Sequence, residues 1–337
     1  MAKTRVPLLF VPCLDIETHT SITQGAGYVG SKGRITDPNE VQKWVDVMVA
    51  HGQVGIDTAR RYSDGTSEEL IGQLDLKGMR VDTKVYPFNP GDHSPAKLKA
   101  TFQLSLDALA GKKIRVFYLH IPDRDVPFEE TLEAVNELHQ AGHFEEFGLS
   151  NFMSWEVAEV VGICERRGFV RPTVYQGIYN ILSRSTEDEL FPCLRKFGIK
   201  FCAYTVLAGG FLSGHLLAPT STPAPGTHFD PSTHAAIFYS SRYTEAFKAP
   251  VRALQACAER HDLRLAEVAY RWLQHHSALG PGDHGVILGV SRVGQLEDAI
   301  VDSEKGPLPQ EVVDMCEETW RAVRGLGRPY FHETREV

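Results

Sequence analysis

The chain has 337 residues, 42% hydrophobic and 23% charged, with a formal net charge of −8 at pH 7. That balance excludes a disordered chain, and a negative total without a run of Lys or Arg argues against nucleic acid or an anionic membrane surface as partner. The opening MAKTRVPLLFVPCLD holds too short an apolar run for a secretory leader and no stretch reaches membrane-span length, so a soluble, cytoplasmic protein is expected. Cys13, Cys164, Cys193, Cys202, Cys257 and Cys316 are scattered without a C-x-x-C pair, which reads as buried free thiols in a reducing compartment.

In chain order, the apolar run LLFV at 8–11 reads as a first strand. GAGYVG follows at 25–30 and matches G-x-G-x-x-G. That spacing cradles a pyrophosphate only where a strand runs into it and a helix opens from it. A polar stretch separates it from LLFV, and no helical period appears before Asp37, so it reads as a flexible loop.

From residue 38 onward, β-rich runs alternate with amphipathic helices. The predicted strands are VGIDTA (54–59), RVDTKVY (80–86), RVFYLHI (115–121), FEEFGLSN (144–151), TVYQGIYN (173–180), KFCAYTVL (200–207) and GVILGVS (285–291). Helical patterns fill 37–52, 67–74, 94–111, 127–142, 154–168 and 185–198, with two more near 245–278. Asp37 before Pro38 is a helix start, and Gly52, Gly142, Gly168 and Gly198 are helix stops.

Eight strands alternating with helices predict the α/β class: a single-domain (β/α)8 TIM barrel over 1–337, with a long irregular loop at 211–244 after strand 7 flanking the site. A doubly wound sheet would need a glycine turn after its first strand and fewer units.

In such a barrel, catalytic groups sit at the C-terminal ends of strands. Asp57 ends strand 2 with Tyr62 in the loop beyond, Lys84 lies near the end of strand 3, and His120 closes strand 4. A phenol ionises too high for proton transfer at neutral pH, but an adjacent ammonium stabilises the phenolate, so Lys84 is expected to lower the Tyr62 pKa. Asp57 would keep the buried Lys84 charged, and His120 would donate a hydrogen bond that orients a carbonyl toward Tyr62 as general acid. Metal-ligand spacing is absent, and the adjacent His275 and His276 face apart on a helix, so no metal is expected.

These residues, with DTARRYSDGTSEELIG, TKVYP, FYLHIPDRDVPFEETLEAVNELHQAGHFEEFGLSNFMSWEVAEV, PTVYQGIYN, ELFPCLRKFGIKFCAYTVLAGGFLSG and VILGVSRVGQLEDAI, resemble the aldo-keto reductase superfamily and its aflatoxin-aldehyde-reductase branch, from residue 38 to the end. The resemblance implies NADPH bound in extended form without a Rossmann turn, Tyr62 as acid, Asp57 and Lys84 as its tuning pair, and His120 as orienting group. It implies that Ser150, Asn151 and Gln176 hold the nicotinamide carboxamide and that Tyr204 stacks on the ring. The loop of Leu207 and Gly209 would wrap the pyrophosphate. Ser291 and Arg292, counted with Gly289 and Gln295, resemble a 2′-phosphate clamp, which favours NADPH over NADH. Three positions depart from the family pattern: FVPCLDIETH lacks the first-strand Gly-Thr pair, Ala299 replaces an asparagine near the adenine, and His215 replaces a lysine.

The implied activity is reduction of a small-molecule aldehyde or ketone, with His120, Arg242, Tyr243 and Tyr330 on the substrate side and Arg242 placed for a substrate carboxylate. A homodimer is what the branch suggests. Two other readings stay open: a cofactor-binding regulatory subunit on the same scaffold with little turnover, and a reductase of natural-product synthesis.

Overall fold

The computed structural model describes residues 22–332, apart from Tyr28, Val54, Pro219, Thr220 and Gly226. Eight strands form the barrel: Ile22–Gly25 (β1), Gly55–Asp57 (β2), Arg80–Val85 (β3), Ile114–Leu119 (β4), Phe144–Ser150 (β5), Pro172–Ile178 (β6), Lys200–Tyr204 (β7) and Gly285–Leu288 (β8). Each pairs in parallel with the next, and β8 returns to β1 through Ile22↔Val286 and Gln24↔Leu288. The seven strands predicted after residue 38 all form.

The first strand is a correction. The run at 8–11 lies outside the described residues, and β1 comes instead from Ile22–Gly25, whose last residue opens the glycine motif. A strand therefore does run into GAGYVG, contrary to the loop reading. Ala26 and Gly30 are buried, and the Ala26 N–H continues the ladder to Asp57 O at 2.9 Å. Still, no helix opens from the motif, because the first helix, Pro38–Ala50 (α1), begins only after Asp37 caps Asn39 N. The chain makes a packed turn here rather than a phosphate cradle.

The remaining helices are Thr66–Gln73 (α2), Pro95–Leu109 (α3), Phe128–Gln140 (α4), Ser154–Arg167 (α5), Leu190–Phe197 (α6), His234–Arg242 (α7), Lys248–Arg260 (α8), Leu265–His275 (α9), Val293–Glu304 (α10) and Gln310–Val323 (α11). Local chemistry accounts for them. In α1, Val41, Trp44, Val45 and Met48 recur at helical spacing and are all buried, each such burial contributing about 1.5–3 kcal/mol. Helices α5 and α6 end at Gly168 and Gly198, as predicted. The segment 211–244 is not irregular throughout: α7 lies within it, held by aromatic contacts that short-range periodicity does not reveal.

Inside the barrel, Val116, Tyr118, Val174, Cys202 and Ile287 form an inner cluster beneath Tyr204. Gly148 on β5 makes room for it, since a Cβ there would stand 2.3 Å from the Tyr118 ring. A buried ion pair, Arg115 with Asp82, sits in the same interior. The five described cysteines are unpaired, and Cys13 lies outside the described residues. No described helix is long and apolar enough to cross a membrane.

Candidate active site

The chain leaving β2 keeps following β3: Thr58 N–H donates to Asp82 O at 2.8 Å and Arg60 N–H to Lys84 O at 3.0 Å. That path delivers Tyr62 to the mouth of the barrel at the start of a 3-10 turn, Tyr62–Gly65. The turn is fastened from behind, where Arg60 Nη1 pairs with the buried Glu68 at 3.0 Å and Thr83 Oγ1 donates to Glu68 Oε1 at 2.5 Å. Ser63 and Asp64 hold left-handed φ of 49° and 53°. Asn151 after β5, and Thr205 and Ala208 after β7, do the same, so sparsely populated backbone collects at this end of the barrel.

All four residues predicted for catalysis meet here. Lys84 Nζ is fully buried and donates to Asp57 Oδ2 at 2.6 Å and to Thr58 O at 2.7 Å. It lies 5.1 Å from the centre of the Tyr62 ring. The Tyr62 and His120 rings meet edge-to-face at 5.9 Å. Gln176 Nε2 donates to the other Asp57 oxygen at 2.9 Å, so both carboxylate oxygens are engaged.

The electrostatics correct one expectation. Burial pushes the Tyr62 phenol above its ordinary value, and Lys84 only partly offsets this, so the net shift is upward rather than downward. Burial likewise raises Asp57 against the pull of Lys84. For Lys84 itself burial acts downward, but Asp57 and Tyr62 together outweigh it and the ammonium stays charged. Burial and then Lys84 drive His120 well below the ordinary histidine value, leaving a neutral imidazole at pH 7 whose Nδ1 has no partner among the described residues.

The residues predicted for the cofactor line two sides of the same mouth. Ser150 and Gln176 are register partners across β5 and β6, both buried. Asn151 Nδ2 donates to Ser150 Oγ at 2.8 Å and to His120 O at 3.0 Å, and the Tyr204 hydroxyl donates to Asn151 Oδ1 at 3.3 Å. Amides, a hydroxyl and an aromatic face thus converge beside the tetrad.

Past β7, Leu207 O accepts from the N–H groups of Gly210 and Leu212, which closes a tight turn and turns those donors inward. Gly209 has φ 68°, and a Cβ there would stand 2.3 Å from the Tyr239 ring of α7. Across the mouth, Ser291 donates from N and Oγ to Gln295 Oε1 at the start of α10, Gly289 is exposed beside it, and Arg292 is exposed without an ion-pair partner among the described residues. A helix N-terminus with an unpaired guanidinium suits a phosphate, and a planar polar cleft beside an aromatic suits a nicotinamide, so these residues fit an extended dinucleotide. Ala299 is buried in the core cluster.

Of the residues predicted on the substrate side, Arg242, Tyr243 and Tyr330 make hydrogen bonds within the fold. Arg242 is buried, and its Nη1 donates to Arg328 O and Pro329 O at 3.1 Å each. The Tyr330 hydroxyl donates to Glu189 Oε1 at 2.6 Å and accepts from Ser154 N–H at 2.9 Å. Tyr243 accepts from Asn180 Nδ2 at 3.0 Å. All three fasten α7 and the C-terminal strap to the barrel. The reading missed Tyr86 and Arg61: Tyr86 meets His120 edge-on at 5.5 Å, and the Arg61 guanidinium lies 4.1 Å over the Tyr86 ring. The two-residue strand period counted onward from Lys84 points to Tyr86.

The model of the Aldo/keto reductase family matches residues 21–321. Aflatoxin B1 aldehyde reductase member 2 of Homo sapiens is 40% identical over 89% of this chain and 87% of its own length. Aldo-keto reductase family 7 member A3 of Homo sapiens is 40% identical over 84% of this chain and 89% of its own. Aldo-keto reductase pigE of Monascus ruber is 36% identical over 94% and 98%. With the tetrad at the barrel mouth and the family match covering nearly the whole barrel, the chain belongs to the aldo/keto reductase family, oxidoreductases that reduce carbonyl groups with a nicotinamide cofactor.

Proposed function

We propose that the chain reduces aldehydes or ketones to alcohols with NADPH, and that Tyr62 protonates the carbonyl oxygen. The observation that carries the reading is the buried Lys84 ammonium, 2.6 Å from Asp57 Oδ2 and 5.1 Å from the Tyr62 ring centre. When bound, the reduced nicotinamide supplies a hydride to the carbonyl carbon. The neutral His120 imidazole donates a hydrogen bond to the carbonyl oxygen and holds it toward the Tyr62 hydroxyl. As negative charge grows on that oxygen, the Tyr62 proton moves to it, and the phenolate left behind faces the Lys84 ammonium. A phenol raised by burial keeps its proton until it is needed, and Lys84 limits the cost of losing it. Water then restores the Tyr62 proton.

Tyr204 would cover one face of the nicotinamide, with Ser150, Asn151 and Gln176 on its carboxamide. Arg292, exposed at the start of α10 and without an ion-pair partner among the described residues, supports a 2′-phosphate and therefore NADPH. We further read residues 1–337 as one cytoplasmic domain, with 211–244 flanking the site, and a homodimer as the assembly. The regulatory-subunit reading draws on the missing Gly-Thr pair in FVPCLDIETH, at 10–19, whereas the strand that pairs with β8 is Ile22–Gly25. The test is NADPH oxidation with a panel of aldehydes: turnover abolished in Tyr62→Phe supports the proposal, and cofactor binding without turnover of any aldehyde or ketone overturns it.

A further inference from the structure

Two arginines precede Tyr62, and the fold treats them differently. Arg60 is neutralised by Glu68, whose side chain is fully buried. Arg61 is exposed and has neither a carboxylate nor a hydrogen-bond partner among the described residues. Its guanidinium instead lies over the face of the Tyr86 ring, 4.1 Å from its centre, a cation–π contact.

Position gives this cation its meaning. Tyr86 meets His120 edge-on at 5.5 Å, so the guanidinium stands one ring away from the imidazole of the tetrad. Its field reaches both Tyr62 and His120, pulling each downward. Of the carboxylates near Tyr62 in the chain, Asp57 is committed to Lys84 and Gln176, and Asp64 on the same turn is paired with Lys32 at 3.5 Å. A guanidinium is planar, and its N–H groups present a fork that matches a carboxylate. An exposed arginine is ordinarily solvated and mobile. This one is held at the rim by Tyr86 and by its place in the chain next to Tyr62.

We propose that Arg61 is a specificity-determining residue that docks a carboxylate carried by the carbonyl substrate, on the Tyr86 side of the reacting centre. The inference rests on Tyr62 and His120 being the acid and the orienting group. The site then favours oxo acids and carboxylated aldehydes over uncharged carbonyls of the same size, through binding more than through the chemical step.

The test is NADPH oxidation with 3- and 4-carboxybenzaldehyde, each set against benzaldehyde, in wild type and in Arg61→Gln, Arg61→Glu and Arg61→Lys. The expected result is that the ratio of kcat/KM for the charged over the uncharged aldehyde falls about tenfold in Arg61→Gln and further in Arg61→Glu, chiefly through KM, while Arg61→Lys retains most of it. A ratio unchanged in all three variants overturns the inference. So does an equal loss of kcat on both kinds of aldehyde, which would mean that Arg61 acts through Tyr62 alone. Wild type that turns over benzaldehyde with a ratio indifferent to Arg61 sinks only this inference, whereas wild type that turns over no carbonyl compound sinks the reading of the site with it.

Discussion

Lys84 Nζ stands 2.6 Å from Asp57 Oδ2, both side chains being essentially inaccessible to solvent. The two come from adjacent strands, β2 and β3, and form a buried ion pair directly beneath the Tyr62 ring. Its strength is conditional, since each charge is tolerable there only because the other is present.

Removing one partner should therefore cost far more than removing both. Lys84→Met leaves the buried Asp57 carboxylate without its counter-charge, held by Gln176 alone, and should destabilise the chain by about 3–5 kcal/mol. The double variant Lys84→Met, Asp57→Leu should recover a large part of that loss, a coupling readable from urea denaturation in a double-mutant cycle. Additive losses would contradict the pairing.

Tyr62→Phe should lower kcat/KM for aldehyde reduction by about 10²–10⁴-fold, the usual range for a general acid. NADPH affinity, followed by fluorescence titration, should change little, because in the proposed mechanism the hydroxyl faces the substrate oxygen. A comparable loss in cofactor affinity would place Tyr62 in binding instead.

The pH profile should follow from two opposite shifts. In the proposed mechanism reduction needs Tyr62 protonated, and burial raises its pKa, so activity should stay level through neutral pH and fall only on the alkaline side. His120 is pushed far below the usual histidine range and adds no limb near pH 6.5. A rate that halves between pH 6 and 7.5 would contradict both assignments.

Stability should respond to acid through the same kind of histidine. His120 and His284 are held well below the ordinary value and His228 is lowered to about 4, burial being the main cause for each. Below about pH 6.5 the unfolded chain binds protons that the folded chain refuses, so stability is full above that pH and declines as pH falls, by up to about 1.4 kcal/mol per unit for each histidine. Denaturation midpoints measured from pH 7 to 4.5 check the sign.

Arg292→Ala should raise KM for NADPH about tenfold or more and leave KM for NADH nearly unchanged, because only the former carries the extra phosphate. Equal effects on both cofactors would remove Arg292 from the clamp.

Some of this was legible without coordinates. The strands β2 to β8 show themselves as short β-branched runs between amphipathic helices, and a barrel of that order obliges the residues at its strand ends to converge. Asp57, Lys84 and His120 are such residues, and Tyr62 is the first ring beyond β2. Local pattern was enough because each signal, the two-residue strand period and the 3.6-residue helical period, is carried by neighbours in the chain.

What pattern could not decide was whatever depends on partners remote in sequence. Strand β1 is a four-residue segment without alternation, and pairing with β2 and β8 is what makes it a strand. Helix α7 sits in a Pro- and Ser-rich stretch, and Tyr239 and Tyr243 meet Phe229 and Phe211 only once the chain has folded back. Arg242 and Tyr330 look like substrate contacts until packing commits them to Arg328 and Glu189. The direction of the Tyr62 shift was also hidden, because a nearby ammonium can be read from spacing, whereas the desolvation that outweighs it is set by how many distant segments close over the ring. Composition and periodicity thus determined which residues meet at the barrel mouth, and only the packed structure decided which remain free to act there, since burial and partnership belong to the whole fold.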